Sequence, residues 1–144
     1  MKGEIISINV KSVLKSGMLA GLLINISAIS MLPVVGNDFD LVLASRNLPP
    51  LSKMAMLYFS LISFINGVSI VFIYAIVKDK FEAGIKTAVL VSFVFWFLTY
   101  FLSNFSMVVY GFMPLKLTVI GTIWGLGELL LAGIVGAKLY KEVR

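Results

Sequence analysis

The chain has 144 residues, of which 60% are hydrophobic and only 13% charged, with a mean hydropathy of +1.03. A single domain of that size has too much surface for its volume to hide so many apolar side chains from water, so the bilayer is the expected solvent. There is no cysteine and no histidine. Zinc sites, thiol nucleophiles, iron–sulfur clusters, His-ligated haem and a Ser-His-Asp triad are therefore excluded within the chain, and no metal or cofactor is expected. The net charge of +5 lies beside apolar runs, which points to membrane lipid as its partner and not to nucleic acid.

Four stretches meet the requirement of roughly 20 largely apolar residues for a membrane-spanning helix. They lie near residues 16–34, 54–77, 87–110 and 117–140. The expectation is a single domain over residues 1–144: an all-α, integral membrane four-helix bundle. The first stretch is the weakest, being shorter and carrying Asn25, Ser27 and Ser30. Lys2, Lys11 and Lys15 ahead of it, and the Ala28-Ile29-Ser30 pattern, are also features of a cleaved signal peptide. The long basic region and the Gly17/Gly21/Asn25 face favour a retained first span. Residues 4–14 are read as an interfacial segment or as an extension of that helix on the terminal side.

Between the first two spans, Asn37 precedes Asp38-Phe39-Asp40, which reads as a helix N-terminus with acidic residues in its first turn. A short interfacial helix near 38–46 is expected, stopped by Pro49-Pro50. The loop Gly111-Phe112-Met113-Pro114-Leu115-Lys116 is tight, which makes the third and fourth helices antiparallel neighbours. No internal repeat of the kind found in larger transporters is visible.

Topology follows from lysine and arginine placement. Lys2, Lys11, Lys15, Lys78, Lys80, Lys86, Lys138, Lys141 and Arg144 fall on the side of the termini, against Arg46, Lys53 and Lys116 on the other. Both termini are thus expected on the cytoplasmic side of the cell membrane. Tyr58, Tyr110 and Tyr140 suit interfacial anchoring, whereas Trp96 and Trp124 lie too deep for a headgroup belt and read as packing residues. The Lys78-Asp79-Lys80 and Lys138–Arg144 clusters read as solvated flanks facing anionic lipid.

Polar groups within the spans are costly, a central charge by on the order of 3 kcal/mol for insertion. Glu128 is the one acid inside a predicted span and sits at the middle of the fourth. Asn25, Asn66, Tyr100 and, a turn further out, Asn104 lie at similar depth, so a shared polar layer with Glu128 is expected. An amide can donate to a carboxylate or accept from a carboxylic acid, so asparagine suits either state of the acid. Gly121, Gly125, Glu128, Ala132 and Gly136 form one stripe of the fourth helix, and Gly17, Gly21, Asn25 and Ala28 one of the first. Small-residue stripes allow close helix approach, so these two are expected to pack together and bring Asn25 to Glu128. Ser92, Trp96, Thr99, Tyr100 and Ser103 mark the corresponding face of the third helix.

The second half carries Gly84-Ile85-Lys86-Thr87-Ala88, Phe95-Trp96-Phe97-Leu98-Thr99-Tyr100 and Gly111-Phe112-Met113-Pro114. After these come the run from Gly121 through Trp124 and Glu128 to Ala132, and then Gly136-Ala137-Lys138-Leu139-Tyr140-Lys141-Glu142. Together with Leu48-Pro49-Pro50-Leu51, these resemble a group of small bacterial four-helix integral membrane proteins, over roughly residues 48–142. The resemblance implies the helix count and draws attention to Trp124 and Glu128; it implies no activity. Small multidrug-resistance transporters are similar in architecture only: their essential glutamate lies in the first helix, and the first span here has no acid.

Three functions follow as expectations. The first is a non-enzymatic packing module, either a homo-oligomer or an accessory subunit of a membrane complex, given the short loops and many packing signals. The second is a proton-coupled or cation carrier using Glu128 with Asn25, Asn66 and Tyr100. The third is a binder of lipid, quinone or another apolar ligand between the helices. An enzyme ranks last, because Glu128 has no nucleophile, metal or second acid beside it.

Overall fold

The computed structural model of the protein describes residues 8–142. Lys2 and Arg144, counted in the charge asymmetry, and residues 4–7 of the expected N-terminal segment lie outside them. The described residues form helices and connecting turns, with no strand among them. Four helices are each long and apolar enough to cross a membrane: α1 (Val10–Ser45), α2 (Lys53–Phe81), α3 (Ile85–Val109) and α4 (Leu115–Leu139).

Residues 38–46 do not form a separate helix. They finish α1, which runs unbroken for 36 residues through Pro33, with Arg46 as its C-cap. Pro33 removes one backbone donor, a loss that helices in hydrocarbon tolerate when neighbours compensate. Asn37 is thus mid-helix and caps nothing. The far end of α1 is held by tertiary contacts absent from local sequence. Arg46 Nη2 donates to Gly111 O at 2.7 Å, the Arg46 guanidinium lies 5.4 Å from the centroid of the Phe112 ring, and Lys116 pairs with Asp38 at 3.4 Å. Residues 10–14 belong to the same helix, as a terminal-side extension of the first span.

The helix ends follow capping chemistry. Asn9 Oδ1 accepts from Ser12 N at the start of α1, and Ser52 Oγ from Ala55 N at the start of α2. At the end of α1, Asn47 takes a positive φ of 57°, Asn47 N–H reaches Ala44 O and Leu48 N–H reaches Leu43 O. The end of α3 repeats that pattern with Gly111 at φ 74°, Gly111 N–H to Val108 O and Phe112 N–H to Met107 O. Both are Schellman motifs, followed by Pro49 and Pro114, which cannot continue a helix.

Helix α3 contains a π-helical turn at Phe97–Phe101, where Leu102 N–H reaches back to Phe97 O. Thr99 Oγ1 caps Phe95 O at 2.7 Å in this region. A π turn adds about one residue per turn and so rephases everything after it.

Helix α1 pairs most extensively with α2, and α4 packs against all three other helices. The α1–α2 crossing is nearly backbone to backbone. A Cβ placed on Gly67 would fall on Gly21 N, Gly17 O and Gly21 Cα. Gly17 and Gly21 therefore face α2, against Val68 and Phe64, and not the stripe of α4. A small-xxx-small pattern marks a face for close approach without naming its partner. On α4, Gly125 lies against the Tyr100 ring, Gly133 against Ser92, and Gly136 against Val71 and Ala20. Ala132 is fully buried, while Gly121 has open space in front of it. The core between the helices is built from Val13, Ala20, Ile24, Ile70, Val71 and Leu129, none more than 2% exposed.

At the end carrying both termini, the C-terminal residues clasp the other helices. Asn9 N–H donates to Tyr140 Oη, and Lys141 N–H donates to Ser12 Oγ at 2.7 Å. Lys78 is not a solvated flank. Its side chain is 7% exposed and bonds Asp79 at 2.6 Å and Glu142 at 2.5 Å. Thr87 Oγ1 donates to the last carbonyls of α2, at Phe81 and Glu82.

Candidate functional site

The four helices enclose a half-open cleft of about 500 Å³. One face of α1, Ile24, Ala28, Met31, Val35 and Phe39, forms a wall at spacings of four, three, four and four. Opposite it, α4 supplies Leu117, Thr118, Gly121, Trp124, Gly125 and Glu128, and α2 supplies Phe59, Ile62, Ser63 and Asn66. Tyr100, Asn104 and Met107 enter from α3, and Met113 from the loop after it. The missing side chain at Gly121 keeps this wall recessed.

Polar groups cluster at the end of the cleft nearest the middle of the helices. Tyr100 Oη donates to Glu128 Oε1 at 3.0 Å. The Ser27 hydroxyl also neighbours the Glu128 carboxyl, and the Asn66 amide neighbours the Tyr100 hydroxyl. Trp124 Nε1 donates to Ser27 Oγ at 2.9 Å, locking α4 to α1 at this level. Asn104 Nδ2 donates to Thr122 Oγ1 at 3.0 Å, and Trp96 Nε1 to Thr122 O at 2.8 Å. Every fully buried side-chain nitrogen or oxygen among the described residues has a partner. The other end of the cleft, with Met31, Val35, Phe39, Met107 and Met113, is apolar.

Of the expected polar layer, Glu128, Tyr100, Asn66 and Asn104 line the cleft, and Trp124, expected as a packing residue, lines it too. Asn25 does not. Its amide donates to Gly21 O at 3.1 Å and across to Ser60 O at 3.3 Å, tying α1 to α2. The α1 residue that reaches the carboxyl is Ser27, two positions on and so about 200° around the helix. Ser27 went unselected because it carries no more local signal than Ser30; its register becomes visible only once the α1 wall of the cleft is known.

The π turn accounts for a second displacement. An uninterrupted α-helix would put Trp96, Thr99, Tyr100 and Ser103 on one face, as expected from spacing. With the wider turn inserted, the facing positions become Ser92, Trp96, Tyr100 and Asn104, and Ser103 is exposed. Tyr100 and Asn104 thereby point at α4 together. Trp96 is buried as a packing residue, whereas Trp124 borders the open cleft.

No group of three or more metal-ligating side chains occurs among the described residues. Comparison of the chain with protein-family models, with curated proteins and with solved structures finds no match in any of the three. The reading of the site therefore rests on its own geometry.

Proposed function

We propose that the protein is a non-enzymatic, multi-pass four-helix bundle of the cell membrane that binds an amphiphilic or apolar small molecule in the Glu128 cleft. The observation that carries this reading is the cleft itself, an apolar slot of about 500 Å³ ending in Glu128, Tyr100, Asn66, Asn104 and Trp124. Long apolar walls with a few convergent polar groups are the usual form of a small-molecule site. The polar end lies near the middle of each span, so the slot suits a molecule whose polar group sits deep in the membrane, as a quinone ring can. A phospholipid in its bilayer orientation would place its headgroup at the wrong depth. Glu128 and Tyr100 would receive the ligand's polar group.

The packing-module reading, a homo-oligomer or an accessory subunit, stays beside it on the short loops, while Gly17, Gly21, Gly125 and Gly136 are engaged by helices of the same chain and add no support for a partner. A proton-coupled carrier remains the second reading, favoured by the position of a carboxyl on an open cleft. The charge asymmetry supports cytoplasmic termini, with the apolar end of the cleft facing outward.

The ligand test is mass analysis of protein extracted mildly from its own membrane. Wild type should carry one small amphiphile that Glu128→Leu with Tyr100→Phe releases. Absence of any stoichiometric molecule under several extraction conditions rejects the binding reading. Glu128→Gln in liposome flux separates the carrier, since only a carrier loses transport. The chain has no cysteine, so topology is read from single substitutions. Leu48→Cys should label from outside and Ala83→Cys only after permeabilisation; the reverse would invert the orientation.

A further inference from the structure

At the end carrying both termini, away from the Glu128 cleft, a second cavity of about 340 Å³ opens between the start of α1 and the C-terminal residues. Lys11 and Lys15 line it from one face of α1, and Lys141 from the tail. Two lysines four positions apart on a helix repel one another, and here a third is added. Lys141 is held there by construction, because its own N–H donates to Ser12 Oγ at 2.7 Å. The residues on either side are fixed as well, Tyr140 by the Asn9 N–H and Glu142 by Lys78. Glu142 is thus directed to Lys78, and among the described residues no acidic side chain lines the cavity. Ser12 and Ser16 add small polar groups, and Leu19 and Leu139 close the deeper end. From Lys11 to Leu19 the cavity follows α1 for roughly 12 Å toward the apolar zone.

We propose that this cavity is a specific site for a phosphate-bearing anion, the headgroup of an anionic phospholipid, whose glycerol and first acyl segment lie against Leu19 and Leu139. Ammonium groups gathered at the membrane surface bind such a headgroup as point charges. A tail pinned to α1 makes the cluster a defined pocket where loose basic flanks would give only diffuse attraction. The proposal does not depend on the reading of the Glu128 cleft.

The test is native mass spectrometry of delipidated protein titrated with phosphatidylglycerol, phosphatidylcholine or inorganic phosphate. Phosphatidylglycerol should give a retained one-to-one adduct and phosphatidylcholine should not. Replacing Lys11, Lys15 and Lys141 together by Gln should weaken the adduct about 100-fold, at roughly fivefold per lysine. The equally discharged variant with Lys80, Lys86 and Lys138 changed to Gln should retain it. Should the first triple variant misfold, Lys141→Gln alone, outside every helix, must still show the fivefold loss. Displacement of the lipid by millimolar inorganic phosphate would keep the phosphate site and assign it to a soluble anion. Equal retention by both triple variants, or equal binding of phosphatidylcholine, overturns the proposal.

Discussion

Replacing Gly67 by alanine should separate the two most closely packed helices of the protein. The added methyl would lie 2.6 Å from Gly21 Cα and closer still to Gly21 N and Gly17 O, all backbone atoms that no rotamer change can move. Carbon atoms in ordinary contact sit about 3.5 Å apart, so α1 and α2 must part by roughly 1 Å. That displacement forfeits dispersion contacts along the crossing and stretches the bond from Asn25 to Ser60 O, already 3.3 Å. Overpacking of a rigid interior costs about 1–3 kcal/mol, and backbone obstruction puts this site at the upper end. Gly127 is the internal control, because a Cβ there meets nothing within 4 Å. Alanine at 127 should leave stability unchanged or raise it by up to about 1 kcal/mol, because a helix interior favours Ala over Gly. The assay is equilibrium unfolding in mixed micelles by titration with a denaturing detergent, followed by helical ellipticity. Equal stabilities for Gly67→Ala and wild type, or an equal loss for Gly127→Ala, would refute the backbone-contact account of the crossing.

The two tryptophans should report differently on the cleft: an added apolar quencher should dim wild-type emission and that of Trp96→Phe, but not that of Trp124→Phe. Quenching that survives Trp124→Phe would place the ligand elsewhere. Lys78→Ala should destabilise by about 1–2 kcal/mol, since both carboxylate partners are largely in solvent and the pairs are correspondingly discounted. Lys78→Met keeps the apolar stem and should recover part of that loss; unfolding midpoints for the two variants decide the point. Thr122→Val removes the hydroxyl that accepts from Asn104 while leaving the carbonyl that accepts from Trp96. It should cost about 1 kcal/mol in the same assay, and no loss would mean the Asn104 amide finds another acceptor.

Helix number and the presence of polar residues at mid-depth were legible because hydrocarbon thickness and the cost of burying polar groups act locally on sequence. Glu128, Tyr100, Asn66 and Asn104, singled out by that cost, all line the cleft. What escaped depends on partners distant in the chain. Asp38 and Arg46 extend α1 by binding groups near residue 111, so local signals at Asn37 suggested a start where there is none. Glycine stripes showed that α1 and α4 approach something closely, yet Gly67, alone on α2, proved the complement of the first. A π turn carries no residue signature in the run Phe97–Phe101, and its one-residue phase change turns Asn104, and not Ser103, toward α4. Lys78 resembled its exposed neighbour Lys80 until the tail was seen folded back onto it.

The length of α1 has a mechanical consequence. Thirty-six residues make a rod of about 54 Å, against a hydrocarbon core near 30 Å. Its start is tethered to the C-terminal tail, so the surplus projects at the opposite end, where Val35 and Phe39 border the cleft. About 36 Å of helix separates Lys15 from Phe39. A change of 5° in tilt, of the kind a thinner or thicker bilayer imposes, therefore sweeps Phe39 through about 3 Å. Arg46 and Asp38 tie that end of α1 to Gly111 and Lys116, so a changed tilt carries the loop after α3 with it, and paired spin labels at Phe39 and Met113 should keep one separation in short- and long-chain lipid.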